Sequence, residues 1–248
     1  MAVKKEEKDM EAEELSHQAM GYDRTSAMFS PDGRLLQAEY AKKTVKIGTP
    51  AIGIACKDGA VIVVDKRVTE KLVVAQSVEK IFQVDHHIGA AASGIISDGR
   101  ILIEKAQVIA QQHRVTFDEA IHLESLVKQI CNIKQFYTQV GGARPFGVSL
   151  LFAGVNSKSN IYVTDPFGIF MEYKATAIGE GENEIKDILA KNYRETMTCE
   201  EGLKLAILAL KTVVGKDFSI DRLDAARIDV ADKKFKKYSK QDMQKLVK

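Results

Sequence analysis

Cysteine is scarce in this 248-residue chain, and the three present, Cys56, Cys131 and Cys199, lie far apart. With no C-x-x-C pair and no histidine at metal-ligand spacing, they indicate neither a thiolate metal site nor a disulfide framework. Reduced, partly buried thiols in a cytoplasmic compartment are expected. Charge of one sign is also in short supply. A formal net charge of +2 leaves no electrostatic footprint for nucleic acid or a membrane surface. No apolar run has the length of a signal-peptide core or a bilayer span. Internal repeats, low-complexity tracts and interdomain linkers are missing too. What is present is an ordinary globular composition, 45% hydrophobic and 28% charged, enough for one substantial core.

The chain opens with "MAVKKEEKDMEAEELSHQAM", a leader dense in both charge signs with almost nothing to bury, which reads as mobile or marginally helical. Ser30-Pro31-Asp32-Gly33 is turn chemistry, and an amphipathic helix follows from Arg34 to Val45 with Leu36 and Tyr40 on its apolar stripe. The period then changes. "PAIGIAC" and "AVIVVDKR" are strands joined by Lys57-Asp58-Gly59, a hairpin signal, and "KLVVA", "KIFQVD" and "HIGAAASG" read as three more. A helix starts at Ser97. A second is expected to open at the capping-box spacing Thr116-Phe117-Asp118-Glu119 and run to Thr138.

Gly141-Gly142 breaks that helix before the strands "FGVSLLFAGV", "NIYVTD" and "IFMEYKATAIG". Helices over Asn183 to Tyr193 and Cys199 to Val214 come next, the second with the capping box Thr198 to Glu201. The strands "ARIDVAD" and "KFKKY" close the body, and Ser239 caps a last short helix. Strands grouped in blocks argue against a parallel α/β sheet. The order predicts a single domain over 22–248, a four-layer α/β/β/α sandwich of two stacked, mainly antiparallel sheets, preceded by the leader 1–21.

The stretch from Tyr22, "YDRTSAMFSPDGRLLQAEYAKKTVKIGTPAIGIACKDGAVIVVDKR", with "SVEKIFQVDHHIGAAASG", "YTQVGGARPFGVSLLFAG" and "EYKATAIGEG", closely resembles the α-subunit of the proteasome core particle, archaeal type. The resemblance runs to about Val230. It implies the N-terminal nucleophile hydrolase-like sandwich, assembly into a heptameric ring, and contact with a ring of proteolytic β-subunits. It also implies entry of unfolded protein through a gated pore and docking of an ATPase activator by its C-terminal tails. Under it, Tyr22, Asp23, Pro31 and Tyr40 match the cluster that holds the gate. Lys80, with the amides of Gly48 and Gly94 nearby, matches the pocket for an activator carboxylate. Val140, Gly141, Gly142 and Ala143 match the pore constriction, with Val140 standing where the family usually carries a bulky tyrosine.

In the family's catalytic β-subunits the nucleophile is a threonine freed by cleavage after a glycine. Gly48-Thr49 occupies the matching place, and Asp65 and Lys80 fall where the supporting pair falls. An N-terminal threonine uses its own amine as base, however, and Thr49 nitrogen in the intact chain is an amide. A non-catalytic subunit is the first reading and a self-processing threonine peptidase the second. No cofactor or metal is expected: His86-His87 lacks a third ligand and reads as a turn. Lys233, Lys234, Lys236 and Lys237 around Phe235 admit a weak nucleic-acid reading, against which a lysine-protected edge strand is preferred.

Overall fold

Alternation along the strands sets the architecture. In β1 (Ala51–Cys56) and β2 (Gly59–Asp65), Ile52, Ile54, Cys56, Val61 and Val63 leave one face while Ala51, Ala60, Ile62 and Val64 leave the other. Successive side chains on a strand point to opposite faces, and all of these are buried, so the hairpin requires cover on both sides. The same holds for β4 (Ile88–Gly94) and β5 (Val148–Val155), where Ile88, Ala90, Leu150 and Phe152 oppose Ala91, Leu151, Ala153 and Val155. The computed structural model, which describes residues 19–67, 72–74 and 77–247, meets that requirement with four layers.

The remaining strands are β3 (Ile81–Asp85), β6 (Ser159–Thr164), β7 (Phe170–Tyr173), β8 (Ala175–Ile178), β9 (Leu223–Asp229) and β10 (Phe235–Lys237). They form two five-stranded antiparallel sheets, ordered β10-β9-β2-β1-β8 and β3-β4-β5-β6-β7, with Ile62, Ile81, Leu151, Ile161 and Ile228 packed between them. Helices α2 (Ile96–Phe117) and α3 (Leu123–Gln139) cover the outer face of the second sheet through Leu102, Ile103, Leu126 and Ile130. Helices α4 (Glu182–Asn192) and α5 (Cys199–Val214) cover the first through Ile185, Leu189, Leu203 and Leu210. The expected α/β/β/α sandwich is thus the observed one. Helix α1 (Leu36–Ile47) packs on β4 and β5, where Thr44 Oγ1 donates to Gly147 O at 2.8 Å. A last helix, α6 (Lys240–Val247), follows Ser239, whose hydroxyl accepts from Asp242 N at 3.1 Å.

Local signals hold where they are satisfied locally. The expected capping box is present: Thr198 Oγ1 accepts from Glu201 N, and Glu201 Oε2 accepts from Thr198 N at 2.8 Å. Such an N-cap contributes about 1 kcal/mol. The Lys57-Asp58 hairpin also forms, with Cys56 paired to Gly59.

Three expectations need correction. Helix α2 runs through Thr116 and Phe117 and stops only at Asp118, whose left-handed φ of 55° ends it; α3 begins at Leu123. The orphan amide of Leu123 is capped instead by Asn156 Oδ1, at 3.1 Å, from the β5–β6 turn. Burial of Ile121 and Leu123 against the sheet decides where the chain turns, overriding the local capping spacing. The run "IFMEYKATAIG" is two strands, β7 and β8, broken at Lys174, and each belongs to a different sheet. In "KLVVA", the described residues Leu72 to Val74 form a turn and bend with Leu72 fully in solvent, while Lys71 and Ala75 lie outside the described residues. The leader up to residue 18 is outside them as well.

Candidate functional site

Four segments converge at the end of the sandwich where β1 begins. Gly48 and Thr49 arrive from α1, Asp65 closes β2, Lys80 precedes β3, and Gly94 closes β4. Gly48 and Gly94 meet backbone to backbone: a Cβ on Gly48 would lie 2.3 Å from Gly94 N, and one on Gly94 would lie 2.3 Å from Gly147 O. Gly94 has φ of 112°, a region that residues with a side chain rarely enter. The backbone thus comes closer here than any side chain would permit, which also brings the carbonyl of Thr49 to Ser93 Oγ at 3.1 Å.

Lys80 is 3% exposed and its ammonium is turned inward. Nζ donates to Thr49 O at 2.6 Å and to Asp65 O at 3.1 Å, and is hydrogen-bonded to Thr49 Oγ1. Burial pushes its pKa down to about 7, against the raising effect of the nearby Asp65 charge. The structure therefore brings Thr49, Asp65 and Lys80 together, but the Asp65 carboxylate is committed elsewhere. It accepts from Arg222 Nη2 at 2.6 Å and Nε at 3.1 Å, and from Arg67 N at 3.0 Å. Beside this group a cleft of about 520 Å³ is lined by Pro50, Arg67, Glu180 and Arg222. Arg67, 38% exposed at its side chain, pairs with Glu180 at 2.5 Å. Neither Arg222 nor Arg67 is singled out by sequence reasoning, because nothing local links Arg222 to Asp65 or Arg67 to Glu180, pairs 157 and 113 residues apart.

The segment leading into α1 packs against the loop that follows α3. Ser30 N donates to Arg34 O at 2.9 Å and Gly33 N to Ser30 O at 2.8 Å, closing the Ser-Pro-Asp-Gly turn with Pro31 exposed at its tip. Tyr22, Asp23 and Tyr40 are half-buried; Gln37 Nε2 is hydrogen-bonded to Asp23 O, and Lys43 Nζ lies 5.6 Å from the centre of the Tyr40 ring. The loop Val140 to Ala143 follows α3, with Gly142 at φ 84°. Ser26, which the sequence gives no reason to select, joins the two: its hydroxyl donates to Ala143 O at 2.6 Å. Downstream, Arg144 holds Asp98 through two hydrogen bonds of 2.6 and 2.7 Å.

The remaining charged and metal-type candidates are accounted for by structure. His86 and His87 form the β3–β4 turn; His87 is buried with Nε2 2.9 Å from Ile121 O, and its pKa is lowered by burial. Among the described residues no group of three His, Cys, Asp or Glu side chains could hold a metal ion. Lys236 pairs with Asp229 and Asp232, and Lys237 with Glu79, so much of the positive charge on edge strand β10 is neutralised. No described helix is long and apolar enough to cross a membrane.

Comparison with known proteins agrees with this architecture. Residues 45–228 match the proteasome subunit family model, and residues 22–43 match the model of the N-terminal signature of α-type proteasome subunits. The chain is 51% identical over 227 residues to the proteasome alpha subunit of Methanocaldococcus jannaschii, covering 91% of this chain and 87% of that protein. It is 50% identical to the corresponding protein of Thermococcus sibiricus, covering 91% and 86%, and 45% identical to that of Archaeoglobus fulgidus, covering 92% and 93%. With matches of this extent, and a signature that spans the turn and helix leading into β1, the chain belongs to the proteasome subunit family and to its α-type members.

Proposed function

We propose that this chain is a non-catalytic, gating subunit of a cytoplasmic proteasome core particle. It assembles into a heptameric ring on a ring of proteolytic β-subunits. Unfolded polypeptide enters past the segment holding Tyr22, Asp23, Pro31 and Tyr40 and the loop Val140, Gly141, Gly142 and Ala143. An ATPase activator docks its C-terminal tails around Lys80, Gly48 and Gly94.

One observation carries the non-catalytic reading. Thr49 lies in a continuous folded run from α1 into β1: Gly48 N donates to Val45 O at 3.0 Å, and Gly48 O accepts from Glu180 N at 2.8 Å. Leu36, Ala38, Ala41 and Val45 are buried beneath that helix. Freeing the amine that an N-terminal threonine needs as its base would discard this packed element. The contact between Lys80 and Thr49 Oγ1 favours a second reading, self-processing after Gly48. The intact mass of the chain, measured once it has assembled with β-subunits, separates the two. A chain starting at Met1 or Ala2 is expected; one starting at Thr49 would overturn the non-catalytic assignment.

The docking role has its own test. Lys80 Nζ is surrounded by Thr49 O and Oγ1, Pro50 O and Asp65 O, so a tail carboxylate reaching it takes the place of one of these, exchanging a neutral partner for a charged one. Lys80→Ala in the assembled particle is expected to weaken activator binding roughly 10–100-fold, the weight of one charge-assisted hydrogen bond. Binding would be read by titrating activator against peptide cleavage, with ring assembly checked by native mass spectrometry. An unchanged titration would remove Lys80 from the docking site.

A further inference from the structure

Ser26 is the one residue between Gly21 and Phe29 whose side chain is buried, at 5% exposure, while Met28 and Phe29 beside it are exposed. Its hydroxyl donates to Ala143 O at 2.6 Å, and Val140 O lies 3.3 Å from the same oxygen. Between those two carbonyls the loop has a single long backbone hydrogen bond of its own, Ala143 N to Val140 O at 3.3 Å. Gly141 and Gly142 have open space where a side chain would sit, so no packing fixes the loop from within. Beyond Ala143 the chain is anchored, since Asp98 accepts from Arg144 and from Gly147 N at 3.0 Å. On the other side, Gln37 Nε2 ties Asp23 O to α1. Ser26 therefore bridges two anchored regions at the point where the loop is least supported.

From this geometry we infer that Ser26 is a positioning residue that latches the entry segment to the loop Val140–Ala143, so that the two shift together. Displacing the segment around Ser26 withdraws the donor from both carbonyls and releases the loop. Restoring the segment resets it. The consequence for substrate entry rests on the gating reading proposed above; the latch itself does not.

The test uses the full chain in the assembled particle. Gly141→Cys introduces a thiol at a position where a Cβ meets nothing within 4 Å, and Cys56, Cys131 and Cys199 are buried, so a spin label attaches at the loop. Ser26→Ala is expected to raise the mobile fraction of that label about fivefold, the population weight of one hydrogen bond. Ser26→Thr, which keeps the hydroxyl, is expected to reverse the change. Ser26→Gly removes the same donor and serves if the alanine variant does not assemble. In particles without the label, Ser26→Ala should raise activator-free peptide entry by a similar factor. A mobile label with unaltered entry upholds the latch and overturns the gating reading. An unaltered label overturns the latch, whatever happens to entry.

Discussion

Replacing Asp65 by alanine is expected to lower the unfolding free energy by about 3 kcal/mol, the low end of the range for removing one partner of a buried ion pair. Asp65 is 1% exposed and accepts two hydrogen bonds from Arg222 and one from Arg67 N, so its loss leaves Arg222 Nε and Nη2 and a backbone amide without their acceptor, while Arg222 Nη1 keeps Asp217 O at 2.6 Å. The Arg222 side chain is 20% exposed, and water reaching it sets the estimate at the low end. Lys80 is affected as well. The Asp65 charge supports its protonated form, so without it burial holds the amine further below about 7. Urea unfolding of Asp65→Ala, Arg222→Met and the double variant would measure the coupling; a buried pair gives clear non-additivity. A loss under about 1 kcal/mol, as found for exposed pairs, would mean that Arg222 finds another partner and that the carboxylate does not organise the site.

Gly94→Ala is expected to be worse, at more than about 4 kcal/mol, with little soluble assembled ring. The new Cβ would lie 2.3 Å from Gly147 O and 3.1 Å from Val148 Cα, beside the strand to which Gly94 is paired, and φ of 112° adds backbone strain. A flexible side chain could yield to such a clash; backbone held in a sheet register cannot. Gly141→Ala supplies the comparison, since its Cβ meets nothing within 4 Å and the change should stay within about 0.5 kcal/mol. Thermal unfolding of the two variants side by side decides the matter. Similar midpoints would show that β4 and β5 part without cost at this end.

Sequence reading recovers the layers because burial on both faces leaves a strong local trace: Ile52, Ile54, Val61 and Val63 alternate with residues of the other core. It recovers the α5 start because both halves of that capping box are three residues apart. It misses the break at Lys174, where no Gly or Pro interrupts the run and only the choice of partner, β6 for β7 and β1 for β8, separates the halves. The α3 start escapes it for a related reason, the cap being supplied by a distant turn. At the site, periodicity alone indicates little. Thr49, Asp65 and Lys80 stand out together through family resemblance, whereas Arg222, which holds the Asp65 carboxylate, leaves no local sign. Lys134, which the sequence gives no reason to select, is fully buried, donating to Val148 O at 2.9 Å and Thr164 Oγ1 at 3.0 Å, with its pKa pushed down to about 8 by burial.

The two sheets differ in when the growing chain can finish them. All strands of β3-β4-β5-β6-β7 come from one stretch, Ile81 to Tyr173, so that sheet can close as soon as Tyr173 has left the ribosome. The other begins earlier, at Ala51, yet Ala51 waits for Ile178 and Asp65 for Leu223. Through that interval the β1–β2 hairpin has both edges unpaired, the condition in which nascent chains associate wrongly. Lys174 limits the delay on one side. It joins the last strand of the finished sheet directly to β8, so the completed half acts as the jig on which the next strand is laid against β1.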